Sequence, residues 1–255
     1  NAWQLQVSGS PESLLINSSL GEQSLLELQF NGDATELQQG YARIGNATRG
    51  APNPDLLGLQ PKFPLEIGLT TIDGVAWGEK LVTFNQWLGE WLPASSAATP
   101  IASPMPDLIE IRADTLTLGE HTLTDNAIVM WAQQEPLAEQ VVDTWQWRWR
   151  AEQTALTGSF WPAQAEQRAR VQINADFLEL ARPEVMATVA ETTQVREPPD
   201  LSAWPTVQFA CRRCQYGAYD LGEVTLQMQP QEQGLQFNEI QIEQGEHRLL
   251  ASMDW

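Results

Sequence analysis

Residues Ile109–Met130, IEIRADTLTLGEHTLTDNAIVM, return without a gap 98 positions later as Val207–Met228, VQFACRRCQYGAYDLGEVTLQM. Ile109 falls on Val207, Ile111 on Phe209, Ala113 on Cys211, Leu116 on Cys214 and Leu118 on Tyr216. Gly119 then falls on Gly217, Leu123 on Leu221 and Ile128 on Leu226. In both copies the apolar residues alternate, slip by one position, and alternate again. Alternation puts one set of side chains on one face of a strand. The slip keeps the later set on that face only if a bulge or kink absorbs it. The stretch therefore predicts strand, kink, glycine turn and second strand. Val171, Ile173, Ala175, Leu178 and Leu180 repeat its first half, and Leu65, Ile67, Leu69, Ile72 and Gly74 repeat it more loosely. Recurrence on this scale predicts a repetitive all-β protein.

Outward from the repeats, Trp3, Leu5 and Val7, then Leu14 and Ile16, then Leu26, Leu28 and Phe30 predict three strands before the turn signal Asn31-Gly32-Asp33. Trp77, Leu81, Phe84, Trp87, Leu88 and Trp91 fall at helical spacing ahead of Pro93. They predict one amphipathic helix that packs on the sheet, touches a membrane or closes a groove. PASSAATPIASPMP, residues 93–106, reads as a linker or loop. The expected segmentation is thus 1–92, ending in the helix, the linker 93–106, and a repeat-bearing segment 107–255. Trp145, Trp147 and Trp149 alternate with Gln146 and Arg148, so their rings share one strand face. A helical turn is expected near Glu184–Ala190, within a proline-containing loop.

Lys and Arg number 14 against 33 Asp and Glu, a net charge of -19. Nucleic-acid affinity rests on neutralising phosphates, and a basic face is what docks on anionic headgroups, so neither partner is expected. No stretch approaches the roughly 18 apolar residues of a membrane-spanning helix. The chain starts at Asn1 with no charged and apolar leader, which reads as an internal piece of a longer protein.

Cys211-Arg212-Arg213-Cys214 is the one tempting site. A CxxC serves as half of a zinc site, as a redox pair or as a local disulfide. His121 and His247 lack ligand spacing, no second CxxC is present, and a redox CxxC normally opens a helix. In the repeat register the two cysteines take the places of Ala113 and Leu116, which are ordinary core positions. Neither a GxSxG, nor an HExxH, nor a phosphate-cradling glycine loop occurs. No catalytic residue, metal or cofactor is nominated.

Gly40-Tyr41-Ala42-Arg43-Ile44-Gly45, then Gly58-Leu59-Gln60, Pro64-Leu65-Glu66-Ile67 and Trp77 resemble a stretch recurrent in YhdP-type proteins of the AsmA-like superfamily. So do Asp220-Leu221-Gly222 and the unit endings Leu156-Thr157-Gly158 to Trp161 and Leu250-Ala251-Ser252 to Trp255. Ser252 departs from the glycine usual in that ending. The resemblance implies a periplasmic segment of a long Gram-negative envelope protein, anchored in the inner membrane outside this chain. It implies an elongated, twisted antiparallel sheet curled into an apolar groove that passes phospholipids between the two membranes.

The expected groove lining is Leu65, Ile67, Ile109, Ile111, Leu116, Leu118, Trp145, Trp147, Trp149, Val171, Ile173, Val207 and Phe209. Acyl chains need such a continuous dry surface, because each buried methylene contributes about 0.8 kcal/mol. The competing architecture is a closed β-sandwich in which these residues are core. The competing functions are a scaffolding module that binds envelope proteins through its edges or helix, and a sugar-binding sandwich with the three tryptophans as a stacking platform.

Overall fold

The computed structural model describes residues 4–21, 23–32, 36–46, 60–74, 76, 106–137, 140–163, 168–182, 204–231 and 234–254. The helix expected at 77–92, the turn expected near 184–190 and all of the linker but Pro106 lie outside these residues. Among the described residues, Asp73 Oδ1 accepts a bond of 3.0 Å from the Ala76 amide. The chain divides into two compact units, Asn1–Trp131 and Ala132–Trp255, with the division falling inside a strand.

The first unit holds β1 (Gln4–Ser10), β2 (Ser13–Leu20), β3 (Ser24–Asn31), β4 (Leu37–Gly45), β5 (Pro64–Asp73), β6 (Leu108–Leu118) and the first part of β7 (His121–Leu137). The second holds β8 (Gln140–Ala151), β9 (Thr154–Trp161), β10 (Arg170–Leu180), β11 (Thr206–Tyr216), β12 (Tyr219–Gln231), β13 (Gly234–Gln244) and β14 (His247–Asp254). Within each unit the strands pair in chain order and the sheet does not close on itself. The all-β reading holds, and the sheet is open, as a groove requires. Among the described residues no separate second sheet packs on either unit, so the closed sandwich is not the architecture.

The sheet is mixed rather than wholly antiparallel. β4, β5 and β6 run parallel, as do β10 and β11. Two of these joints, β5–β6 and β10–β11, lie between copies of the repeated pattern. Leu65, Ile67, Leu69 and Ile72 pair with Ile109, Ile111, Ala113 and Leu116. Val171, Ile173, Ala175 and Leu178 pair likewise with Val207, Phe209, Cys211 and Cys214. Copies of one pattern in parallel register bring their apolar positions side by side.

The strand-kink-turn-strand grammar is present twice. β6 returns as β7 through Gly119 (φ 60°), and β11 returns as β12 through Gly217 (φ 58°). A left-handed turn position takes glycine without steric cost, which explains why both copies share it. Register breaks follow Ala175 in β10 and Cys211 in β11. The Phe177 carbonyl at the first break is not left dry: the buried Thr154 hydroxyl donates to it at 3.0 Å.

Candidate functional site

Following the register across the second unit yields three apolar rows, each seven strands wide. One runs Trp145, Phe160, Val171, Val207, Met228, Phe237, Met253, and the next Trp147, Gly158, Ile173, Phe209, Leu226, Ile240, Ala251. The third runs Trp149, Leu156, Ala175, Cys211, Val224, Ile242, Leu249. The other face is polar along the same rows, as in Gln146, Ser159, Gln172, Gln208, Gln227, Glu239. Strand alternation on this pattern gives one dry face and one wet face.

Shorter rows cross the first unit on one face. Leu26, Ala42, Leu65, Ile109 and Met130 align, as do Ile44, Ile67, Ile111 and Ile128. Beyond the slip in β5 and β6, Ile72, Leu116 and Leu123 form a fully buried row. Ala42, Phe63, Ile67 and Leu108 are buried in the first unit as well, and the second unit has its own tight cluster of Leu156, Ala175, Cys211 and Cys214.

All the nominated lining residues but Leu118 fall on these rows, though not in one environment. Ile67 and Leu116 are buried, whereas Leu65, Ile109, Ile111, Trp145, Trp147, Trp149, Val171, Ile173, Val207 and Phe209 are only half-buried. Leu118 is 39% exposed, at the mouth of the glycine turn. Trp147 and Trp149 pack against the cluster around Leu156. The indole of Trp147 lies over Gly158, the one residue of its row with no side chain to displace it.

Cys211 and Cys214 are both buried and bonded to each other, with Cα atoms 5.9 Å apart. Neither supplies a free thiolate, and each sits in its row as a core residue. The short loop limits what the bridge contributes. Replacing both cysteines by alanine lowers stability by about 2 kcal/mol, measured by urea denaturation, and leaves the sheet signal in far-ultraviolet circular dichroism unchanged.

Sequence reasoning missed a polar cluster, with two buried glutamates, in the first unit. Arg43, Glu66 and Glu110 stand side by side on β4, β5 and β6. Glu66 is 4% exposed, and Tyr41 donates its hydroxyl to Glu66 Oε2 at 3.0 Å. Arg112 is ion-paired with Glu110, its Nε donating at 2.6 Å. Burial raises the Glu66 carboxyl above its ordinary range; Glu110 adds to this, and the Tyr41 bond opposes it. Tyr41 is raised too, by burial first and then by its bond to Glu66. On their own, glutamates in alternating strands read as solvated; their burial is set by neighbours on other strands.

A carboxyl raised in the folded state binds more protons there than in the unfolded chain. Its share of stability is therefore present below the unfolded value and lost as pH rises through the folded one. Glu66→Gln removes that loss. The variant melts higher than the wild type at pH 7, and the difference disappears once the pH falls below 4.5, the ordinary value of the carboxyl. A wild type that gained stability as pH rose through this window would show the assignment to be wrong.

No helix among the described residues is long and apolar enough to cross a membrane. Comparison with curated proteins and with solved structures finds no match. A family model described as YhdP protein matches residues 2–255.

Proposed function

The chain belongs to the YhdP family, and from that premise we propose that its apolar sheet face conducts phospholipid acyl chains across the periplasm, between the inner and outer membranes. The observation that carries the reading is the set of seven-strand apolar rows, along which Trp145, Trp147, Trp149, Val171, Ile173, Val207 and Phe209 stay half-buried. Contiguous exposed apolar surface beyond a few hundred Å² is rare on a soluble protein and marks an interaction site. A row of aliphatic and aromatic side chains, whose one strong side-chain donor is an indole N–H, suits a hydrocarbon chain better than a sugar or a peptide backbone. On this reading transfer is non-covalent, needs no catalytic residue or cofactor, and takes place in a longer protein held in the inner membrane. The acidic wet face keeps an open sheet from stacking on itself.

Mass spectrometry of lipids extracted from the purified protein tests this directly. Phospholipid is expected in stoichiometric amount, and a protein that never carries lipid, even after incubation with vesicles, refutes the conduit. A second reading, strand addition by an envelope protein, draws on β1 and β14, all of whose residues are exposed. It predicts partner binding that survives complete delipidation and is lost when proline is placed in β1 or β14.

A further inference from the structure

Strands β5, β6 and β7 of the first unit border a cleft of about 320 Å³, lined among others by Asn46, Glu66, Glu110, Arg112, Asp114 and Asp125. Four carboxyl groups face one guanidinium there, and that guanidinium is held by Glu110. Glu66 Oε2 has its donor in Tyr41, yet Oε1 is buried and accepts no hydrogen bond. Leaving a buried carboxyl oxygen without a donor is unfavourable, and the folded protein keeps such an unmet acceptor at a cleft of acidic character.

We propose that this cleft binds a primary ammonium group, which donates to Glu66 Oε1 and is balanced by the surrounding carboxylates. The chemistry selects that group over its rivals. A planar guanidinium is best matched by both oxygens of one carboxylate, and here one is already taken by Tyr41. A compact ammonium needs only the single open oxygen. Bare metal binding asks for several converging ligands, and among the described residues no three His, Cys, Asp or Glu side chains are so arranged. A neutral hydroxyl supplies one donor and no charge to offset the acids. The group has two sources, a free amine and the headgroup of an amino-phospholipid. Ile67, Leu69 and Ala113 also border the cleft, but the ammonium site rests on Glu66 and stands or falls independently of the conduit.

Titration calorimetry of the 255-residue chain with ethanolamine, and with ethylene glycol as the uncharged control, is the first measurement. Vesicles with ethanolamine headgroups, compared with choline headgroups that carry no N–H, separate the sources. Saturable binding of ethanolamine or of ethanolamine-headgroup vesicles is expected, with neither control binding. Whichever of the two binds identifies the source. Glu66→Gln, which keeps the side-chain size, weakens that binding about tenfold or more, while melting and circular dichroism confirm that it folds. Affinity of the wild type falls as acid protonates Glu66, whose surroundings are Tyr41, Arg43, Glu110, Arg112, Asp114 and Asp125. Equal binding of ethylene glycol or choline vesicles, equal binding by Glu66→Gln, or no binding of either amine source overturns the proposal.

Discussion

Ile111→Asp and Trp147→Arg each lower the phospholipid recovered with the purified protein at least about tenfold, whereas Glu120→Lys leaves it unchanged. The size follows from desolvation. Bringing hydrocarbon against an ionised side chain strips water from the charge, which costs far more than the about 0.8 kcal/mol that each methylene contributes. Ile111 lies between Ile67 and Ile128 in its row, and Trp147 heads a row seven strands wide. One charge therefore breaks the dry row in which it stands. Both positions are half-buried, so water reaches the new charge when no lipid is present and the sheet survives the change. Glu120 is exposed in the turn after β6 and touches neither row. Lipid quantified per mole of folded protein decides the matter: unaltered recovery in both row variants means that lipid, if bound, is not on this face.

The second large effect is on stability. Gly158→Leu lowers the free energy of unfolding by about 3 kcal/mol, at the upper end of what overpacking costs, read from urea denaturation. A Cβ at position 158 falls inside the indole of Trp147 and also meets the carbonyl of Gln172, which belongs to backbone and does not move aside. Relief requires the indole to swing off the cluster of Leu156, Ala175, Cys211 and Cys214, exposing what it covers. Trp147→Ala in the same chain makes room. The double variant should therefore lose less than the sum of the two single changes, a coupling expected of residues in contact. Additive losses would show that the ring does not lie over the glycine.

The repeat between Ile109–Met130 and Val207–Met228 made the two hairpins legible, because a short glycine turn fixes both partner and register locally. It also placed the cysteines: Cys211 and Cys214 pair with Ala175 and Leu178, as their register required. The parallel joints were not legible. Whether β5 meets β6 side by side or head to tail is decided by the path of the intervening chain, not by the alternation inside either strand. The Glu66 cluster escaped for a related reason. Glu66, Arg43 and Glu110 lie far apart in sequence, and each looks like the solvated half of an ordinary strand. Lateral pairing turns three polar residues into a buried group with one unmet acceptor. The nominated residues could be sorted by strand face from alternation alone, while their graded exposure, from buried Leu116 to open Leu118, depends on distance from the bulges and turns.

The parallel joints also set an order of events when the chain folds. β6 and β7 need only close a two-residue turn, as do β11 and β12. Hairpins of this kind form within roughly 1–10 μs. Joining Leu65 to Ile109, or Val171 to Val207, first gathers in a span of 44 or 36 residues. That loop entropy is lost before any pairing energy returns. The hairpins therefore exist as separate amphipathic plates, each with an apolar side bare, until the joints close. A nascent chain of this kind is most vulnerable to sticking to another copy during that interval, and the excess of negative charge on its wet side is in place to oppose it from the start.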